Sequence, residues 1–301
     1  MFYHSCRLER CEMKFRPQFA FSLSFIMVSV LCSLISLADD APVRITVPKR
    51  VLLLGQRPDT HPKTTHEYMA GIRLIARFLN DFGKYQVIIQ QADDPWSDGK
   101  ELLDRADAVV LFLTEGAKWV SEDKERFAAF QRLAKRGGGL SALHWGLGTR
   151  ESQPVADFVS LFGGCHGGPD RKYKVDDFRL SPSSTPHPIN SGIQPFKVHD
   201  ELYYALKFPV RRQGHTLLIN AHVAEADHAV AWAWQREDNG RSFGFTGLHF
   251  HKNWERIEYR RLVVQGILWT LNESIPTEGL ALDLTEREIE LLDDERLKST
   301  E

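Results

Sequence analysis

Gly137-Gly138-Gly139-Leu140-Ser141-Ala142-Leu143-His144-Trp145 is the stretch whose reading decides the fold. Three glycines stop whatever helix precedes them. Leu140 to Leu143 then form a short apolar run of the kind that suits a strand buried on both faces. His144-Trp145-Gly146 follows at once, so a strand passes directly into a turn that presents an imidazole. Working outward, the same unit recurs. Upstream, RVLLLG (Arg50 to Gly55), YQVIIQ (Tyr85 to Gln90) and DAVVLFL (Asp107 to Leu113) are three more strand-like runs. Between the first two, Tyr68, Ile72, Ile75 and Leu79 recur at helical spacing, with Thr65 as a candidate cap and Gly83 as a stop. A short helix is expected over Asp98 to Arg105. Another is expected from Ser121, with Glu122 and Asp123 in its first turn, towards Lys135. Strands alternating with helices at this spacing predict an α/β fold: a mostly parallel sheet with helices on both faces.

Downstream, Gly146 to Val198 is rich in Gly, Pro, Ser and His, and reads as loops and short strands inserted over the sheet's functional edge. HTLLINAHV (His215 to Val223), AVAWAWQ (Ala229 to Gln235) and RSFGFTGLHF (Arg241 to Phe250) read as strands, with Asp238-Asn239-Gly240 as a turn. Arg260 to Leu271 closes the domain as a helix. Thr285 and Glu288 form a capping-box pattern ahead of a short tail helix. The organisation is therefore a segment over 1–38, a linker over 39–49, a domain over 50–272 and a tail over 273–301.

Composition agrees with a globular chain: of 301 residues, 26% are charged. With 38 basic against 40 acidic residues the net charge is −2, so no bulk positive field favours nucleic acid. Residues 19–38, FAFSLSFIMVSVLCSLISLA, follow Arg7, Arg10, Lys14 and Arg16 and end in Ser36-Leu37-Ala38. That is the layout of a secretory signal peptide cleaved after Ala38, and it predicts export to the periplasm or beyond. A membrane association is expected only if the segment stays uncleaved, since about twenty apolar residues can span a bilayer. Cleavage would remove Cys6, Cys11 and Cys32 and leave Cys165 alone, so no internal disulfide is expected.

In an open α/β sheet, ligands bind outside the carboxyl ends of the strands. His66 falls after the first strand, His144 after the fourth, and His249 and His251 at the end of the last. His249 and His251, spaced i, i+2, would share one face of a strand. Asp200 and Glu201, in VHDELYY, are the nearest acidic candidates. The expected acid–base or ligand set is thus His144, Asp200, His249 and His251. His66, Trp145, Glu201 and Trp254 are expected to border a small-molecule pocket, the aromatic faces suiting a sugar ring. Neutral imidazoles plus a carboxylate suit zinc or a similar divalent metal, although no HExxH or other tight motif demands one. Cys165 stands in a loop with no base nearby in sequence.

GGGLSALHW, HPI (His187 to Ile189), VHDELYY (Val198 to Tyr204), AWAWQ (Ala231 to Gln235), GRSFGFTGLHFHKNW (Gly240 to Trp254) and RRLVVQGILWTL (Arg260 to Leu271) occur in the order seen in the ThuA-like, or trehalose-utilisation, family. The chain resembles that family from about Arg50 to Leu271. The resemblance implies a flavodoxin-like sheet of the class I glutamine amidotransferase type and a role in carbohydrate metabolism, without supplying a reaction. It points to His144, Asp200, Glu201 and a histidine after Gly247. The chain departs from true amidotransferases where their elbow cysteine would stand, because that place holds His144. Glutamine hydrolysis through a thioester therefore lacks its nucleophile. The alternatives to a sugar-processing enzyme are a non-catalytic carbohydrate-binding module and a metal-dependent hydrolase.

Overall fold

Strand β1 (Lys49–Gly55) sets the frame, because strand side chains alternate between the faces of a sheet. Val51 and Leu53 enter one apolar layer, Leu52 and Leu54 the opposite one, and all four are fully buried. The computed structural model that shows this describes residue 1 and residues 47–291. The signal segment expected over 1–38, and the linker up to residue 46, lie outside the described residues.

The alternation continues through α1 (Tyr68–Asp81), β2 (Tyr85–Gln91), α2 (Gly99–Arg105), β3 (Ala108–Phe112), α3 (Gly116–Glu122), α4 (Lys124–Lys135) and β4 (Gly139–Leu143). After β4 come β5 (Gly148–Thr149), α5 (Gln153–Phe162) and β6 (His166–Gly167), the two short strands pairing with each other. Then β7 (Lys172–Pro182), β8 (Phe196–Tyr204), β9 (His215–Val223), β10 (Ala226–Gln235) and β11 (Arg241–Phe245) precede α6 (Ile257–Thr270) and α7 (Glu286–Ile289). The large sheet has the order β2-β1-β3-β4-β11-β10-β9-β7-β8. Helices α1 and α6 cover one face; α2 to α5 cover the other. This is the expected α/β architecture. Among the described residues no helix is long and apolar enough to cross a membrane.

Within the large sheet, parallel pairing is confined to β2, β1, β3, β4 and β11; from β11 outward every neighbour is antiparallel. The segment expected to hold loops and short strands contains α5 and the eleven-residue β7. β7 reads as loop because most of its side chains are exposed or half-exposed, with Phe178 and Leu180 alone fully inward. Two helix starts also differ. Thr65 does not cap α1; its hydroxyl donates to the Pro62 carbonyl at 2.6 Å. The helix expected from Ser121 is two helices broken at Asp123, whose carboxylate caps α4 by accepting from the Glu125 and Arg126 amides. Such a cap is worth about 0.5–2 kcal/mol. Thr285 and Glu288 form a reciprocal capping box at α7.

The last strand ends at Phe245, five residues before the expected Phe250. Its continuation is bent away by a left-handed Leu248 (φ 82°). The Asp200 carboxylate holds that bend, accepting from the amides of Leu248 at 2.8 Å and His249 at 3.1 Å.

Candidate functional site: a histidine cluster at the carboxyl rim

Three loops at the carboxyl end of the parallel half-sheet each deliver one imidazole to the same point. β4 ends at Leu143, and His144 opens a 3-10 turn (His144–Leu147) with φ 48°. A left-handed non-glycine residue costs about 1–3 kcal/mol, so surrounding packing must hold it there. Gly146 allows this. A β-carbon on it would lie 2.7 Å from the Leu111 carbonyl oxygen, so the turn rests directly on the β3 backbone. His144 Nδ1 lies 2.8 Å from the Thr246 carbonyl oxygen, to which it can only donate. That fixes the tautomer and leaves a lone pair on Nε2.

The loop after β1 brings His66, also left-handed (φ 52°), whose amide donates to the His249 carbonyl at 3.0 Å. Its Nδ1 donates to Asp59 Oδ2 at 2.7 Å, with the Tyr68 and Thr114 hydroxyls on the same oxygen. The neutral His66 ring therefore also turns an Nε2 lone pair inward. It faces His144 Nε2 at 3.0 Å. His249, from the loop after β11, places Nδ1 3.4 Å from the same atom. The Tyr203 hydroxyl lies 3.1 Å from His144 Nε2 but gives its proton to the Glu201 carboxylate, and its ring stacks between His144 and His166. Glu201 supplies a carboxylate. One atom from each of His66, His144, His249 and Glu201 lies within 4.8 Å of all the others.

Burial sets the charge state. It pushes His144 well below the ordinary imidazole value, and the neighbouring His66 and His249 push the same way. Burial lowers His66 too, although Asp59 pulls it back up. Burial, with His66 and His61 beside it, takes His249 to about 3. Burial alone would raise Asp59, but its bonds to His66 and His61 outweigh that and hold it well below the usual carboxylate range. Burial, aided by the charge of Asp200, raises Glu201 to about 7. At neutral pH the site thus holds three neutral imidazoles, those of His66 and His144 with their lone pairs turned inward, the state a metal requires of its ligands.

The spacing fits such an ion. Two nitrogens bound tetrahedrally to zinc at about 2.0–2.1 Å stand about 3.3 Å apart; here the separations are 3.0 and 3.4 Å. The carboxylate–histidine pair of Asp59 and His66 is the outer support that metal-bound histidines regularly carry. A cavity of about 130 Å³ opens beside the cluster, walled by Trp145, His166, Tyr203 and Glu201, with Arg150, Arg171 and Tyr173 also lining it.

Of the residues singled out in the sequence, His66, His144, Glu201 and His249 meet, and Trp145 lines the cavity. Three do not join them. Asp200 is fully buried with every contact turned to the fold: it also takes the Glu201 amide at 2.9 Å and the Tyr259 hydroxyl at 2.8 Å. Adjacent strand residues face opposite sides, so Asp200 and Glu201 cannot share a site. His251 is not on a strand. It begins a 3-10 turn and donates from Nε2 to the Ile289 carbonyl, in a groove between α1 and α7. Trp254 is a core residue, 1% exposed. Sequence reading missed Asp59, His61, Tyr203, Arg150 and Arg171. A signal existed for three of these. Asp59 and His61 lie in the Pro- and His-rich loop directly after a buried strand. Tyr203 stands two residues from Glu201, hence on its face.

Fold and site together define an α/β protein that carries a histidine cluster at the carboxyl rim of its parallel half-sheet. The family described as ThuA, trehalose utilisation, matches residues 50–270, and the chain belongs to that family. A ThuA-like protein from Bacteroides uniformis has a similar solved structure, with TM-score 0.57 and 15% identity over 76% of this chain and 94% of that one. At that identity the likeness concerns the fold. No curated protein matches the sequence.

Proposed function

We propose that this ThuA-family protein processes a small sugar at a divalent metal centre held by His66, His144 and His249, with Glu201 as its acid–base group. One observation carries the reading: two Nε2 lone pairs, each fixed by an outward partner of its ring, face one another at 3.0 Å. Lone pairs so placed repel unless a cation lies between them, and burial disfavours a proton in that role. When bound, such an ion would supply Lewis-acid polarisation of a sugar oxygen. The remaining work falls to the chain. Glu201, at about 7, is matched to taking a proton from a sugar hydroxyl near neutral pH and returning it. The Tyr203 hydroxyl, whose proton burial holds firmly, orients as a donor. Trp145 offers a stacking face for the ring.

A thioester route does not fit. Cys165 is fully buried, burial pushes its thiol up, and it belongs to the apolar layer on the α2–α5 face. A binding module without turnover would not need a cavity carboxylate raised to about 7, where it can give and take a proton, which is why we favour the enzyme. The apolar segment over residues 19–38 supports placing this activity in an exported protein.

The test is elemental analysis of purified protein and of His144→Ala, alongside turnover of a disaccharide and oxidised-sugar panel with and without chelator. About one metal per chain, lost in the variant, together with chelator-sensitive turnover, is the expected result. No metal in either protein would overturn the metal centre. Metal without turnover would leave a metal-dependent sugar-binding protein.

A further inference from the structure

The mouth of the cavity carries charge that a neutral sugar does not require. Arg150 and Arg171 both lie against the Trp145 ring, with guanidinium carbons 5.3 and 6.0 Å from its centroid. They are held very differently. Arg150 is anchored: its side chain pairs with Glu115, and its amide donates to the other Glu115 oxygen at 3.0 Å. The Arg171 side chain has no carboxylate within ion-pair reach among the described residues, and its one hydrogen bond is a long contact, 3.4 Å, to the Gly168 carbonyl. Lys207, another cation near this segment, is already paired with Asp170 at 2.7 Å. Glu201 is the one acid lining the cavity, and it belongs to the histidine cluster at the floor. The cavity is thus cationic at the mouth, with a planar fork left over beside an aromatic face and the exposed Tyr173 ring.

We propose that the site takes an anionic monosaccharide unit, its carboxylate or phosphate bound by Arg171 at the mouth and its ring against Trp145. This rests on the reading of the cavity as a sugar site. Arg guanidinium is the group suited to planar, bidentate recognition of both anions. Trp145 narrows the fork's freedom by stacking with it. Arg150, neutralised by Glu115, shapes the wall and contributes little to the charge.

The experiment is calorimetric titration of D-glucose, D-glucuronate and D-glucose 6-phosphate into the full protein, into Arg171→Gln and into Lys100→Gln, a distant cation on α2. Metal content is measured on each sample. At least one charged probe should bind about tenfold or more tightly than glucose, the equivalent of about 1.4 kcal/mol. Arg171→Gln should bring that ratio to near one with metal content unchanged, and Lys100→Gln should leave it intact. Preference for glucuronate alone assigns a carboxylate; preference for the phosphate ester alone assigns a phosphate. Equal binding of charged and neutral probes, no binding of any probe, or a preference that survives in Arg171→Gln overturns the proposal. Charge preference without metal would sink the metal centre and keep this inference. Metal without charge preference would do the reverse.

Discussion

Asp59→Asn tests the outer support of the metal position, because His66 and His61 donate to different oxygens of one carboxylate. Asp59 Oδ1 accepts from the His61 amide at 2.9 Å and lies 2.7 Å from His61 Nδ1. Oδ2 accepts from His66 Nδ1 at 2.7 Å, Tyr68 at 3.1 Å and Thr114 at 3.3 Å. Asparagine keeps one acceptor oxygen and replaces the other with an NH2 group. Turned towards His61, that NH2 would meet a backbone N–H that can only donate. Turned towards His66, it meets two hydroxyls that can rotate to accept and an imidazole that can change tautomer. The second orientation costs less. It moves the His66 proton from Nδ1 to Nε2, where it points at His144 Nε2 and closes the metal position with a hydrogen bond. Zinc affinity should fall by about 10–100-fold, the usual loss for such outer support, or about 1.4–2.7 kcal/mol. The metal-free denaturation midpoint should also fall, since the bonds that hold Asp59 ionised stabilise the folded state and asparagine carries no charge. Competition titration against a chromophoric chelator, with chemical denaturation of the metal-free protein, reads both quantities. Zinc affinity within twofold of the parent would refute the tautomer argument.

Other expectations follow from the loops that carry the imidazoles. Tyr259→Phe removes a buried donor 2.8 Å from Asp200 Oδ2; stability should drop by about 1.5–3 kcal/mol, and an unchanged urea midpoint would contradict that. Gly146→Ala places a β-carbon 2.7 Å from the Leu111 carbonyl. The overpacking should cost about 1–3 kcal/mol and displace the His144 turn, so metal content should fall with stability. For pH, burial and the charge of Arg241 lower His187 to about 4. As pH drops from about 6.5 to about 4, the unfolded state takes up this proton while the folded state does not, so stability declines across that window and levels below it. His187→Asn keeps the acceptor for the Ile189 amide (3.2 Å); it should show a shallower decline between those values in denaturation series, and an identical slope would exclude His187 as a contributor.

The strand–turn at Leu140 to His144 was legible in the sequence because its causes are local. Glycine stops the helix, Leu140, Ala142 and Leu143 with the small Ser141 fill a two-faced strand, and the residue after the strand must sit at the rim. The same logic placed His66 and one histidine after Gly247 at that rim. Their convergence was not legible. It depends on β1, β3, β4 and β11 lying side by side, an order set by crossover packing rather than by any one segment. Nor could the sequence choose between His249 and His251. Read as strand residues they share a face, but Asp200, arriving from β8, bends the chain at Leu248 and sends one into the cluster and the other under α7. The antiparallel outer strands escaped for a related reason: β7 is held by its neighbours' backbone rather than by its own apolar pattern. The sequence alone therefore determined the α/β alternation, the family and the rim positions, since each follows from periodicity or local order. Which rim residues touch, which carboxylate faces the cavity, and which arginine is left without a counter-ion were decided by tertiary structure, because each depends on groups more than twenty residues apart meeting within hydrogen-bond distance.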